Sequence, residues 1–172
     1  MIYFNCDYLE GGHPKILEKM LSTNMEQLTG YSTDHYCDSA RERIRQACGC
    51  PDADVHFLVG GTQTNLTAIA SILRPYQGVL AAHDGHIACH ETGAIEATGH
   101  KVLPIPCVDG KITADQVREF CHSHQTNTMR EHMVQPGMVY ISFPTEIGSL
   151  YTKKELKELS AACHENGIPL YI

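Results

Sequence analysis

The 172-residue chain predicts an α/β protein of three layers, with a mostly parallel sheet between helices. Three observations carry that class. From residue 55 onward, short apolar runs alternate four times with stretches of helical periodicity. Strands separated by helices need crossover connections, which place neighbouring strands parallel and helices on both faces. The length and an apolar content of 42% suffice for the core such layers require.

Residues 1–50 read as an amino-terminal helical segment. Pro14 opens a helix over residues 14–21, where a proline in the first turn loses no hydrogen bond. Residues 30–34 form a loop in which Ser32, Thr33 or Asp34 caps a second helix. That helix carries Tyr36, Ala40, Ile44 and Ala47 on one side and Arg41, Glu42 and Arg45 on the other, and it stops at Gly49.

Residues 51–172 read as part of a larger α/β domain. The β-branched and aromatic run 55–59 predicts a strand, and Leu66, Ile69, Ala70 and Leu73 predict the helix after it. Further strands are expected at 79–82, 101–105, 138–142 and 168–172. The helices between them fall near 89–97, at 114–121 behind Thr113 or Asp115, and at 153–166 before Gly167. The polar connection 122–137 is long for a plain loop. The sequence stops inside a strand, so a fragment of a longer protein is expected.

Composition narrows the function. No apolar run has the length of a bilayer span, and the first residues lack the charged, apolar and cleavage regions of a secretion signal. A cytoplasmic protein that does not engage membranes is expected. The net charge of −7 with no basic stripe argues against nucleic-acid binding. The eight cysteines are scattered without Cys-x-x-Cys spacing, which predicts reduced, mostly buried thiols rather than a disulfide framework.

Two stretches promise chemistry. Gly60 and Gly61 sit between the predicted strand and helix, followed by Thr62, Gln63, Thr64 and Asn65. A turn of that kind aims unpaired amides and the positive helix end at one point, where a phosphate binds. Three of the eleven histidines, His83, His86 and His90, cluster in the loop after the second predicted strand. They suit either an acid–base imidazole beside a planar cofactor or a metal shared by His86 and His90. With no HExxH motif, no metal is expected. A non-catalytic phosphate- or metal-binding domain stays open as an alternative.

The segments Gly60 to Asn65, His86 to Ala94, Asn5 to Asp7, Gly30 to Asp34 and His132 to Glu146 together resemble the threonine aldolase and β-eliminating lyase family. The resemblance runs through nearly the whole chain. It implies the large domain of the pyridoxal 5'-phosphate-dependent transferase-like fold, truncated before its small carboxyl-terminal domain. It further implies that Gly60, Gly61 and Thr62 hold the cofactor phosphate, and that His86 stacks on the cofactor ring and handles the substrate's β-hydroxyl. His132 is the implied second catalytic histidine. Cys6 and Asp7 fall at substrate-binding positions, with Cys6 where serine is common, and Tyr31 reaches a neighbouring subunit's site in a homodimer or homotetramer. Glu91 is implied as a structural partner. The family's Asp-Gly-Ala-Arg motif and the lysine that links the cofactor would follow Ile172. The implied reaction cleaves a threonine-like β-hydroxy-α-amino acid to glycine and an aldehyde, in the complete protein and not in this chain alone. A β-eliminating amino-acid lyase of the same fold is the alternative.

Overall fold

A computed structural model of the chain describes residues 2, 3 and 9–172. The expectations for Asn5, Cys6 and Asp7 lie outside the described residues. The chain forms two compact units, Met1–Phe57 and Leu58–Ile172.

The first unit holds α1 (Pro14–Thr23) and α2 (His35–Cys48). Asp34 caps α2 by accepting from the amides of Tyr36 at 2.9 Å and Cys37 at 3.0 Å. Gly49 ends the helix at φ 63°, a left-handed conformation that a residue without Cβ adopts freely. Two arginines of α2 then claim the chain that follows. Arg45 Nε donates to the Ala53 carbonyl at 2.8 Å, and Arg41 Nε donates to that of Val55 at 3.3 Å. The Arg41 guanidinium also lies 5.5 Å from the Phe57 ring centroid.

Those contacts correct the strand expected at 55–59. The run joins no sheet and bends at Val59, which is 96% exposed. β-branched composition favours an extended backbone; a strand also needs a ladder partner, and here side chains take the carbonyl of Val55 instead.

The second unit is built on α3 (Gly61–Ile72), β1 (Gln77–Ala82), the short α4 (His86–Cys89), β2 (Lys101–Ile105), α5 (Ala114–Thr126), β3 (Gln135–Tyr140), α6 (Lys153–Glu165) and β4 (Leu170–Tyr171). The four strands are all parallel in the order β2-β1-β3-β4. Side-chain alternation splits the core in two. Leu80, Ala82, Leu103, Ile105 and Val139 pack against Val117, Cys121, Leu159 and Cys163 of α5 and α6. Val79, Ala81, Val102, Met138 and Tyr140 pack against Ile69, Ile87 and Ile95. These are the three layers expected from sequence.

Strand order also fixes where a ligand would go. The step from β1 to β2 moves one way across the sheet, over the Ile87 and Ile95 face. The steps to β3 and β4 move the other way, over the α5 and α6 face. Loops leaving β1 and β3 therefore diverge, opening the crevice in which open α/β sheets bind ligands.

Local chemistry adjusts the remaining elements. The helix expected at 89–97 is instead α4 and a 3-10 turn, Glu96–Thr98, because Thr92 and Gly93 take φ of 50° and 76° and break it. α5 runs to Thr126, and the polar connection after it contains a second 3-10 turn, Arg130–His132. β3 starts at Gln135, and its pairing shifts register beside Gly137. A Cβ on Gly137 would stand 2.7 Å from Leu73 Cδ2 and 2.8 Å from Gln77 Cδ, so glycine is required at this bulge, which also accommodates Pro136. Seven cysteines are free among the described residues, but only Cys121 and Cys163 are buried. The expectation of mostly buried thiols is therefore corrected: the others lie in loops, in the first unit or on the short α4. No described helix is long and apolar enough to cross a membrane.

Candidate active site

The site lies within the second unit, on the rim at the carboxyl ends of β1 and β3. Gly60 caps α3 with φ −168° and ψ 167° and no side-chain cap. The first intrahelical bond comes from the Thr64 amide to the Gly60 carbonyl, at 2.9 Å. The amides of Gly61, Thr62 and Gln63 therefore point out of the helix without intrahelical partners. A Cβ on Gly60 or Gly61 would meet nothing within 4 Å, so the mouth of the helix is open. Gln63 Oε1 accepts from the Val59 amide at 3.0 Å, which fixes the chain as it enters.

One turn along α3, Asn65 starts a chain of contacts. Its Nδ2 donates to Glu91 Oε1 at 2.7 Å, and its Oδ1 accepts from the Tyr171 hydroxyl at 2.7 Å. The Glu91 side chain has 0% exposure, and its Oε2 is buried without a partner among the described residues. His86 Nε2 lies 3.7 Å from Glu91 Oε1, while Nδ1 lies 3.2 Å from Glu146 Oε1. Ser142 completes the ring of contacts. Its hydroxyl accepts from the His86 amide at 3.2 Å and donates to Glu146 Oε1 at 3.1 Å. His90 Nε2 reaches Glu146 Oε2 at 3.7 Å. The Tyr140 and Tyr171 rings meet edge to face 5.5 Å apart beneath this network, and burial pushes both phenols above their ordinary pKa.

The arrangement orients the His86 imidazole. Nδ1–H donating to Glu146 leaves Nε2 with the free lone pair. The side chain keeps 41% of its surface exposed, so part of the imidazole is accessible. The group implied by the sequence resemblance fits: open amides and the Thr62 hydroxyl suit a phosphate, and His86 suits a planar ring.

Of the expected site residues, the structure brings Gly60, Gly61, Thr62 and His86 into one connected region. It does not bring His132 there. That residue closes the 3-10 turn before the amino end of β3, whereas His86 meets Ser142 beyond the carboxyl end. The six residues of β3 separate the two by about 20 Å at roughly 3.3 Å per residue. Tyr31 lies in the first unit at φ 60°, fully exposed. Asn65, Ser142 and Glu146 escaped the sequence reading. The one signal that pointed to them was position: Asn65 ends the glycine motif, and Ser142 and Glu146 lie at or just past the end of a predicted strand.

The sequence matches the β-eliminating lyase family over residues 4–172. Low-specificity L-threonine aldolases of Pseudomonas sp. and Pseudomonas aeruginosa are 30% and 29% identical over 98% of the chain. The chain spans 48% of the length of each. Among solved structures, Leishmania major threonine aldolase superposes with a TM-score of 0.89 at 50% identity, covering 95% of this chain and 46% of that one. A PLP-bound C-S lyase from Staphylococcus hominis shares the fold at a TM-score of 0.59 and 12% identity, covering 91% and 39%. With the family match running over residues 4–172 and the fold shared over nearly the whole chain, the chain belongs to the β-eliminating lyase family.

Proposed function

We propose that this chain is the phosphate- and ring-binding part of a pyridoxal-phosphate-dependent lyase that cleaves threonine-like β-hydroxy-α-amino acids to glycine and an aldehyde. The observation that carries the reading is the contact chain Asn65–Glu91–His86–Glu146, which fixes an imidazole beside an open helix N-terminus. The amides of Gly61, Thr62 and Gln63, with the Thr62 hydroxyl, hold the phosphate. When bound, pyridoxal phosphate supplies the electron sink for the carbanion left at Cα. His86 Nε2 takes the proton of the β-hydroxyl as the Cα–Cβ bond breaks, and Glu91 and Glu146 stabilise the imidazolium that results. A homodimer or homotetramer is part of the reading. It is supported by Ile16, Leu17, Met20 and Leu21 of α1, each more than half exposed.

Cofactor binding is tested with pyridoxine phosphate, which lacks the aldehyde and cannot react with surface lysines. Titration should show saturable binding, and Gly61→Val should weaken it about tenfold or more by blocking one charge-assisted bond. Equal affinity in the variant would overturn the cup. For the complete protein, aldehyde release from threonine supports the aldolase reading. Keto acid and ammonia from other amino acids would favour the β-eliminating alternative.

A further inference from the structure

Beside the His86 network, and sharing no residue with it, the loops after β1 and β2 bring three kinds of donor together. β1 and β2 pair through Ala82 and Ile105, so the two loops leave the rim side by side. His83 and Asp84 follow β1, and Cys107 follows β2. Cys107 Sγ lies 3.0 Å from Asp84 Oδ1 and 3.4 Å from His83 Nδ1. One ligand atom from each residue falls within 4.8 Å of the other two.

The backbone holds this convergence. The His83 amide donates to the Ile105 carbonyl at 2.9 Å, and Cys89 Sγ donates to the His83 carbonyl at 3.1 Å. On the other loop, Val108 and Lys111 bridge to close the turn. Gly110 sits there at φ +69°, with its Cβ position 2.9 Å from Thr145 Cβ, so the turn is packed against its neighbour.

We propose that His83, Asp84 and Cys107 form a binding site for one divalent cation of borderline softness, zinc above all, with a fourth position open to solvent. The donor set decides the class. Hard cations collect oxygens, whereas a thiolate with an imidazole selects zinc and its neighbours. Distances agree in scale. Zinc bond lengths at a tetrahedral angle put sulfur and nitrogen about 3.5 Å apart, and sulfur and oxygen about 3.6 Å apart. The sulfur–nitrogen pair already stands at that spacing, and the sulfur–oxygen pair needs to open by roughly half an ångström. On binding, two bonds to the ion replace the Cys107–Asp84 hydrogen bond, and the thiol proton leaves to solvent. His83 is exposed, which gives the ion its entry path. A bound ion would staple the β1 and β2 loops at the rim. The site rests on its own geometry and stands whether or not the lyase reading holds.

The test is cobalt titration of the metal-stripped chain, followed by displacement with zinc. One cobalt per chain should bind with a thiolate-to-cobalt charge-transfer band, and zinc should raise the thermal midpoint. Cys107→Ser should abolish the band. His83→Gln, at an exposed position, should cost about tenfold or more in affinity while circular dichroism stays unchanged. The double variant Cys48→Ser, Cys50→Ser removes the exposed thiol pair and should change nothing. A band that survives Cys107→Ser, a band lost in the Cys48 and Cys50 variant, or no stoichiometric binding would each overturn the site.

Discussion

At the scale of single residues, the site depends on a buried carboxylate with one close donor. Glu91 has no exposed side-chain surface, and Asn65 Nδ2 at 2.7 Å is its only hydrogen-bond partner among the described residues. Asn65→Ala removes that donor and also strands the Tyr171 hydroxyl. Leaving a buried carboxylate without its hydrogen-bond donor costs about 1–3 kcal/mol, so urea unfolding of the variant should show a loss of that order. Adding Glu91→Gln should recover part of it, because the buried charge is then gone. A loss below about 0.5 kcal/mol, the range of ordinary surface changes, would show that the pair carries no such burden. The glycine turn before Thr62 and the histidine cluster around His86 were legible in the sequence as local features, because both announce themselves within a few residues. Asn65 and Glu146 were not, since each acquires its role only from a partner 26 or 60 residues away.

At the scale of elements, periodicity exposed α5, α6, β1 and β2 because each presents an apolar face to the core. It failed at 55–59 and at 89–97, where arginine contacts and left-handed residues decide the backbone. The two capping boxes, at Thr113 with Gln116 and at Thr152 with Glu155, set where α5 and α6 begin. Glu155 does more than cap. Lys111, on the loop after β2, donates to Glu155 Oε1 at 2.7 Å, and the Thr152 amide donates to Oε2 at 2.6 Å. Chiefly through Lys111, the Glu155 pKa is lowered from 4.5 to about 2. A carboxyl lowered in the fold stabilises it fully above its ordinary value, and that contribution fades as pH falls toward the folded one. The stability difference between the native chain and Lys111→Met should therefore be steady above pH 4.5 and shrink between pH 4.5 and about 2. Denaturant midpoints across that interval measure it, and a constant difference would assign the loss to packing over the Tyr151 ring instead.

At the scale of the whole molecule, strand order does what no motif does: it places the divergent loops of β1 and β3 together, and with them His86, Ser142 and Glu146. The alternation of elements made the sheet legible from sequence. The order β2-β1-β3-β4 was not legible, because it depends on which face each crossover covers. In the proposed function the rim binds and orients, but covalent attachment of a cofactor aldehyde needs a deprotonated lysine amine close by. Within the 172 residues, Lys101 stands at the amino end of β2, away from the rim, and Lys111 is held on Glu155. Lys153, Lys154 and Lys157 lie on α6, and Lys15 and Lys19 lie on α1 of the first unit. The chain as given should therefore bind pyridoxine phosphate yet release no aldehyde from threonine above the uncatalysed rate, even with saturating pyridoxal phosphate. A coupled aldehyde assay on the purified chain decides this. Turnover above background, lost in His86→Phe, would mean that one of these lysines is recruited to the rim and that the described arrangement is not the working one.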